Sequence, residues 1–429
     1  MNRQMLSRVS AIVAASVVIA GFLGAFMTHR INAIDPSPNP PSPKDAPIAA
    51  QPPNPPVDEK FVAANTKFGF KLFSEILKQQ QDENIFISPT SVAIALAMTY
   101  NGASGETQQA MADVLELQQL SLKDINQAHH LLQTSLTTAD PQVQLSIANS
   151  LWVKQGVPFK GEFLQTNQQF YSGKVTELDF ASPEAPKVIN SWVKENTNGK
   201  IEQIVEQLQP DHLLFLINAI YFKGNWSEQF DKSKTTERPF YLTDGTTKQH
   251  PMMSQFGNYR YTENDSFQAI SLPYGGGRLS LYVFLPREDT TLETFQQQLT
   301  YENWQQWMNQ FQMRDGEIQL PRFQFDYDIQ LNDALKALGM EAAFTASQAD
   351  FSNMTAAPVK IDEIKHKTFV EVNEEGTEAA AATSVGVAIT SVTIPKSPFQ
   401  MVVERPFFVA IRDNQTRTVL FMGSVVEPQ

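Results

Sequence analysis

The stretch that decides the fold is EEGTEAAAATSVGVAITSV, which runs from Glu374 to Val392. It follows KTFVEV (Lys367 to Val372), whose pattern is typical of a strand. Four consecutive alanines favour a helix, because alanine is the best helix former. The alternation favours a strand instead, since threonine, alanine, valine and isoleucine fill the odd positions from Thr377 to Ile389. From the pattern alone, an Ala-rich loop or short helix and an extended strand both stay open.

Length and composition bound the class of protein. The chain has 429 residues, a net charge of −13 and no cysteine. The length alone suggests two or three domains. The missing cysteines exclude disulfides and thiolate zinc sites. The acidic balance argues against nucleic acid as the main partner.

The first 59 residues are not expected to belong to the folded core. Two arginines precede an apolar run from Ala11 to Met27, which is typical of an export signal, so residues 1–33 are interpreted as a signal peptide or signal anchor. Residues 34–59 are rich in proline and are interpreted as a disordered linker. The folded domain is then expected at 60–429, in a secreted, periplasmic or cell-surface protein. An uncleaved segment would tether it to a membrane.

The rest of the chain mixes helix and strand patterns without regular alternation, which predicts an α+β fold. The segments predicted as elements are an amphipathic helix containing Phe61, Phe68, Leu72 and Ile76, two helices within Ser88 to Met111, a helix within Pro186 to Lys200, a covered strand at Leu213 to Phe222, and a turn followed by a strand at Gly275 to Pro286.

No catalytic or metal-binding set can be assembled from the sequence, so neither enzymatic activity nor a cofactor is expected. The nucleophile-elbow, Walker and zinc-protease motifs are absent. His129 and His130 diverge on a helix, so a solvated helix face is expected there rather than a metal site. Glu374 and Glu375 are neighbours on the predicted strand and should point to opposite faces, which makes them a poor acid–base pair. A secreted hydrolase remains the remote alternative.

Several segments from about residue 60 to the end resemble the serpin family. They are NIFISPTSVAIALAMTYNGASGETQQAM, IANSLWV, INSWVKENTNGKI, LINAIYFKGNW, LPYGGG, LPRF, KHKTFVEVNEEGTEAAAAT and ERPFFVAIRDNQTRTVLFMGSVVEP. The resemblance implies a single domain with three β-sheets, about nine helices and an exposed reactive-centre loop. It overrides the two-domain or three-domain expectation.

The resemblance also implies a mechanism. A protease would attack the loop as a substrate, and the cleaved loop would insert as a new central strand of the main sheet before deacylation. The protein would then be a suicide-type inhibitor of serine endopeptidases, forming a covalent 1:1 complex and otherwise monomeric. A non-inhibitory serpin acting as a cell-surface binding module is the alternative. The hinge residues that the resemblance assigns are Glu374, Glu375, Gly376, Thr377, Glu378, Ala379, Ala380, Ala381, Ala382 and Thr383.

The residues of the loop suit that mechanism. Alanine side chains are small and lose little rotamer entropy on insertion. Gly376 supplies a hinge without a β-carbon. The odd-numbered face, from Thr377 to Ile389, suits the core beneath the sheet, whereas Glu378 lies on the opposite face and can stay in water.

Family spacing from Glu374 puts the reactive bond at Thr390–Ser391. The small and aliphatic residues around it favour an elastase-like or subtilisin-like protease, whose primary pocket is shallow and apolar. Heparin binding is not expected, because the segment from Gln119 to Gln133 has a single lysine.

The resemblance assigns two further groups of residues. One is a polar cluster beneath the opening sheet, whose hydrogen bonds would hold the strands together until insertion. The other lies near the top of the sheet, where insertion begins, and includes Trp226 and Glu374. The polar cluster consists of Ser88, Ser91, Asn218 and His366.

Overall fold

The computed structural model describes residues 57–80, 82–377 and 397–429. Within them helices and strands follow one another irregularly, which confirms the α+β class. The α-helices are α1 Glu59–Gln79, α2 Pro89–Tyr100, α3 Gly105–Val114, α4 Leu122–Thr137, α5 Gly161–Tyr171, α6 Ala185–Asn196, α7 Leu292–Gln296, α8 Tyr301–Met308, α9 Asn332–Leu335 and α10 Glu341–Phe344. Further helical turns lie at Lys232–Lys234 and Lys336–Met340.

The strands carry most of the later half of the chain. They are β1 Ile85–Ile87, β2 Val143–Lys154, β3 Lys174–Leu178, β4 Leu214–Asn225, β5 Thr236–Tyr241, β6 Thr247–Glu263, β7 Phe267–Tyr274, β8 Leu279–Pro286, β9 Gln312–Pro321, β10 Phe323–Gln330, β11 Glu363–Val372, β12 Gly376–Thr377, β13 Phe399–Val402, β14 Phe407–Asp413 and β15 Val419–Val425.

The predicted elements outside the loop are all present. Helix α1 buries the predicted stripe, and it begins at Glu59 because the Asp58 carboxylate accepts a hydrogen bond from Lys60 N at 2.7 Å. Ser88 caps α2 in the same way, accepting from Ser91 N at 3.3 Å. Every residue of α2 is buried, since this helix is apolar on all sides and lies inside the molecule.

The first sheet has six strands in the order β10-β11-β4-β2-β3, with β12 paired to β4. Its centre is unusual because β11 and β4 run parallel, from the pair Glu363↔Phe215 to the pair Phe369↔Tyr221. Beyond Tyr221 the two strands no longer pair. There β4 pairs antiparallel with the short strand β12 instead. The boundary between β4 and β11, called the seam below, therefore starts to open at one end.

The second sheet has nine strands in the order β1-β15-β14-β8-β7-β6-β9-β13, with β5 also on β6. The family resemblance implies three sheets, whereas the described strands form two hydrogen-bonded sheets. The reason is the length of β6, whose seventeen residues pair with β5, β9 and β7 along successive parts of the strand. One continuous ladder therefore joins what would otherwise be separate sheets.

Two hydrophobic layers cover the six-stranded sheet. The even-numbered residues of β4, such as Leu216, Ile220 and Phe222, face the large core that contains α1, α2 and the second sheet. The odd-numbered residues, such as Phe215 and Ile217, pack under α6 and the segment that follows it. The sheet is thus covered on both faces where β4 and β11 pair with each other.

One helix surface differs from the expectation of a solvated face. His130 is exposed, but His129 is 1% exposed. The His129 ring packs edge-on against Phe61, with 4.7 Å between the ring centroids. Burial lowers the pKa of His129 to about 3, so the ring is neutral in the folded protein. The solvated-face expectation is therefore wrong for His129, because α4 turns this residue towards α1.

Two searches of the described residues gave negative results. No helix there has the length and apolar character needed to cross a bilayer. No group of three or more histidine, aspartate or glutamate side chains in the same residues is placed to hold a metal ion. The predicted signal segment and almost all of the predicted linker lie outside the described residues.

Candidate functional site: the loop hinge and the polar cluster under the seam

The hinge begins with a tight reversal after β11. Asn373 N donates to Gly376 O at 2.9 Å, and Gly376 N donates back to Asn373 O at 3.3 Å. Glu374 and Glu375 lie within this reversal, and Gly376 then pairs with Asn225 on β4. The expectation that Glu374 and Glu375 occupy opposite faces of a strand is wrong, because the strand ends at Val372.

Gly376 cannot be replaced without moving β4. Its φ is +150°, and a β-carbon built there would lie 2.1 Å from Gly224 O. Both conditions exclude a side chain, the first by backbone conformation and the second by contact with the neighbouring strand. This close approach is what lets β12 enter the space between β4 and β11.

Thr377 follows Gly376 in β12 and is buried in the sheet. It is 1% exposed, and its hydroxyl lies 2.7 Å from the Tyr274 hydroxyl. The Tyr274 ring stacks on Trp226 with 4.5 Å between centroids, and Trp226 Nε1 donates to Asn373 O at 2.8 Å. Burial raises the pKa of Tyr274, so its hydroxyl stays protonated. An aromatic pair therefore holds both sides of the reversal.

Glu374 is a buried carboxylate with charged and neutral donors. Arg322 Nε donates to it at 2.7 Å, Arg322 Nη2 forms the ion pair, and the Thr235 hydroxyl donates as well. Burial alone would raise the pKa of Glu374, but the hydrogen bonds from Arg322 and Thr235 outweigh it and hold the pKa below its usual value. Glu375 forms an ion pair with Lys232 nearby. These pairs hold the reversal to the helical turn at Lys232–Lys234 and to Arg322, which lies between β9 and β10.

The structure brings the four predicted cluster residues together under the seam. Asn218 on β4 and His366 on β11 are direct partners across the parallel ladder, and His366 Nδ1 lies 2.5 Å from Asn218 Oδ1. Asn218 Nδ2 donates to Ser91 Oγ at 2.5 Å. Ser88 N donates to His366 Nε2 at 3.1 Å. The cluster therefore ties both strands of the seam to the first turn of α2.

The hydrogen bonds fix the protonation of His366. Since Nε2 accepts from Ser88 N, the ring proton lies on Nδ1 and is donated to Asn218 Oδ1. Burial lowers the pKa of His366 to about 3, against a smaller raising effect of its bond with Asn218. A second proton on Nε2 would point at the Ser88 N–H. Only the neutral ring can make both bonds.

Sequence reasoning missed several residues that touch the site. Asn149 lies opposite Asn218 on β2 and accepts from its amide. Arg322 and Tyr274 lie in the segments LPRF and LPYGGG, and the resemblance implies no role for either. The sequence carries no signal for the pairing of Arg322 with Glu374, because the Arg322 side chain is 42% exposed and it is the buried Glu374 carboxylate that needs the partner.

The remaining predicted site residues lie outside the described residues. They are Glu378, Ala379, Ala380, Ala381, Ala382, Thr383, Thr390 and Ser391. Their predicted roles stay predictions.

The sequence of the chain is similar to a protein-family model and to individual known proteins. It matches the family model described as Serpin (serine protease inhibitor) over residues 63–428. It is 38% identical to Serpin B6 of Macaca fascicularis, over 85% of this chain and 98% of that protein. It is 37% identical to Leukocyte elastase inhibitor A of Mus musculus, over 86% of this chain and 100% of that protein.

A solved structure agrees with the sequence comparison. The native state of Tengpin, a thermophilic serpin, superimposes with a TM-score of 0.80 at 32% identity, covering 87% of this chain and 96% of that one. The family match extends over most of the chain. The chain belongs to the serpin family.

Proposed function

We propose that this protein inhibits serine endopeptidases by inserting its cleaved reactive-centre loop into the seam, which traps the protease as an acyl-enzyme. One observation carries the proposal: Gly376 and Thr377 already pair antiparallel with β4, while β4 and β11 still pair directly further down. A strand that continued from β12 would run antiparallel to both neighbours. It would replace one parallel ladder by two antiparallel ones, which are slightly more stable per residue.

The register of β12 predicts where the inserted residues would lie. Continuing the antiparallel pair Thr377↔Gly224 puts Thr383 opposite Asn218 and Val387 opposite Leu214 at the start of β4. The ten steps from Thr377 to Val387 span roughly 33 Å at the rise of a strand. A protease bound covalently at the end of the loop would be carried along the whole length of β4.

The same register explains why both faces of the loop are small or apolar. The odd-numbered residues would face the large core, as their pattern predicts. The even-numbered residues Ala382, Ser384 and Gly386 would lie opposite Ala219, Ile217 and Phe215, which pack under α6. Only Glu378, near the open end opposite Lys223, would remain on a wet face. The expectation that Glu378 can stay in water concerns that end alone.

The polar cluster is proposed to hold β4 and β11 together until the loop is cleaved. The hydrogen bond between His366 and Asn218 crosses the seam, so an inserting strand must break it together with the backbone pairs beside it. Until then the bond holds the two strands closed. Breaking this hydrogen bond adds to the activation barrier for insertion, so that the uncleaved protein stays in its active form.

We also propose the reactive bond Thr390–Ser391 and a target with a shallow apolar primary pocket, of elastase or subtilisin type. The small residues around the bond support this target, and so does the name of the relative Leukocyte elastase inhibitor A. The export segment at 1–33 and the linker at 34–59 are proposed to deliver the domain outside the cytoplasm. No cofactor takes part in the proposed reaction.

The proposed function is tested by incubating the full chain with pancreatic elastase and with subtilisin. We expect an adduct that survives SDS and a released peptide that begins at Ser391. The same proteases with a blocked active-site serine serve as the control and should give neither. Cleavage without an adduct would favour the non-inhibitory alternative, whereas an adduct with a different peptide would refute only the assigned bond.

A further inference from the structure

The two most exposed large apolar side chains among the described residues lie on one sheet face. Phe256 is 65% exposed and Met313 is 60% exposed. Phe256 belongs to β6, and Met313 belongs to the adjacent strand β9, where it pairs with Arg260. Phe256 and Arg260 are four residues apart, so all three point to the same side of the sheet. Phe256 and Met313 are thus about 14 Å apart along the strands.

The polar groups between them are already satisfied. Asn258 Nδ2 donates to Asp315 Oδ1 at 2.7 Å, and Ser254 Oγ donates to Glu317 Oε1 at 2.9 Å. What this face still offers to a partner is therefore apolar surface, together with the cation of Arg260. Two large apolar side chains this exposed on one rigid sheet face are available to anchor a partner.

This face adjoins the point where the chain returns from the loop to the sheet. Strand β13, which receives the chain from the loop, pairs parallel with β9 from Phe399↔Gly316 onward. Ser397 O accepts from Arg314 Nη2 at 3.4 Å, next to Met313 in the chain. The loop therefore rejoins the sheet level with Met313.

The return point is rigid. The Phe399 ring stacks on Tyr261 with 4.0 Å between centroids, and it fills the space left by Gly316, where a β-carbon would be 2.2 Å from the ring. Arg314 is held by Glu263 at 2.8 Å and by the Tyr261 ring. A protein bound to the loop is thus tethered at a fixed edge of this face.

We infer that the face formed by Phe256, Arg260 and Met313 is a second docking surface for the target protease, which contacts it while the loop occupies the active site. This inference rests on the proposed function. The proposed bond is six residues from Ser397, within roughly 20 Å even when extended. A protease of about 230 residues has a radius of gyration near 17 Å, so its body reaches the face. The partner is a serine protease with apolar side chains on the rim of its active-site cleft.

The test measures docking without chemistry. Subtilisin and elastase whose catalytic serine is replaced by alanine bind the loop but cannot cleave it. The double variant Phe256→Ser, Met313→Ser should bind one of them roughly tenfold more weakly than wild type, because it loses two apolar anchors. The control Leu122→Ser, Leu164→Ser removes two exposed apolar residues from α4 and α5 and should bind like wild type.

Other results overturn the inference. Equal binding of the double variant to both proteases would show that the loop alone is recognised. A wild-type dimer in sedimentation that the double variant abolishes would assign the face to a second copy of this chain. If wild type forms the SDS-stable adduct and binding is still unchanged, only the docking surface fails. If wild type forms no adduct with the active proteases, the proposed function fails first.

Discussion

A single neutral imidazole connects three parts of the fold at the level of residues. His366 accepts from the backbone of Ser88 at the start of α2 and donates to Asn218 on β4, while it belongs to β11 itself. His129 is the second buried imidazole, packed between α4 and α1. Both rings fold in the neutral form, since burial disfavours their charged form. The two residues therefore couple folding to pH.

Lowering the pH from 7 to 5 should reduce the free energy of unfolding. The pKa of both histidines is about 3 in the folded protein, whereas the unfolded chain binds these protons near pH 6.5. Their contribution is thus fully present above pH 6.5 and is lost as the pH falls towards 3. Each histidine should cost about 2 kcal/mol at pH 5 relative to pH 7. Urea unfolding at a series of pH values measures this.

Two variants distinguish the contribution of His129 to this pH dependence from the contributions of other titrating groups. His129→Phe keeps the ring contact with Phe61 and should remove about 2 kcal/mol of the loss between pH 7 and pH 5. His130→Gln, at the exposed neighbour, should leave the loss unchanged. If His129→Phe and His130→Gln showed the same pH dependence as wild type, the buried neutral ring would not be its source.

At the scale of elements, the sequence predicts some features and not others for identifiable reasons. Phe61 and Phe68 predict α1 because their spacing needs no information from outside the helix. The approach of β12 to Gly224, and the pairing of Glu374 with Arg322, depend on strands that meet only in the folded chain. The cover that α6 places over β4 cannot be found in the loop sequence either. The family resemblance supplied the cluster residues, and only the structure supplied their bonds.

Replacing Thr377 by arginine should turn the inhibitor into a substrate. Thr377 is already buried against Tyr274 in the intact hinge, so desolvation would expel an arginine from this position, and the strand would have to bury that charge before it could extend from β12. Deacylation then outpaces insertion. Each 1.4 kcal/mol added to the insertion barrier slows insertion about tenfold relative to deacylation. Burying an unpaired charge costs several times that amount, so titration of protease activity should need at least about tenfold more of the variant per enzyme. Thr377→Ser keeps the hydroxyl and should inhibit like wild type. Equal stoichiometry for Thr377→Arg would disprove the register of the hinge.

A charge exchange tests the next residue of the inserted strand. Continuing the pair Thr377↔Gly224 by one residue, as proposed for the inserted strand, would put Glu378 opposite Lys223. Opposite charges at such positions stabilise a ladder by roughly 0.2–1 kcal/mol. Lys223→Glu should therefore slow insertion and raise the stoichiometry of inhibition by up to about fivefold, since like charges would meet. Adding Glu378→Lys should restore it. Two single variants that each slow insertion, with no recovery in the double variant, would place Glu378 elsewhere.

For the whole molecule, the proposed insertion would mean that the active form is not the most stable arrangement of its own chain. The parallel ladder between β4 and β11 uses edges that an inserted strand would pair more extensively. In the proposed mechanism the cluster around His366 holds the sheet closed, and the active form would persist because conversion is slow. The pairing across the seam would then determine both how long the active form persists and how fast the cleaved loop inserts.

Cleavage of the loop should therefore raise the melting temperature. Insertion from Thr377 to Val387 adds roughly ten backbone hydrogen bonds at about 1 kcal/mol each. Spread over a folded domain of this size, that gain corresponds to a rise of about 10 °C or more. Calorimetry of intact and protease-nicked protein measures the difference, and nicked Thr377→Arg should melt close to the intact protein because its strand cannot enter. If nicked wild type melts at the same temperature as the intact protein, the severed loop has stayed outside the seam. No more stable inserted form would then lie beyond the barrier at His366.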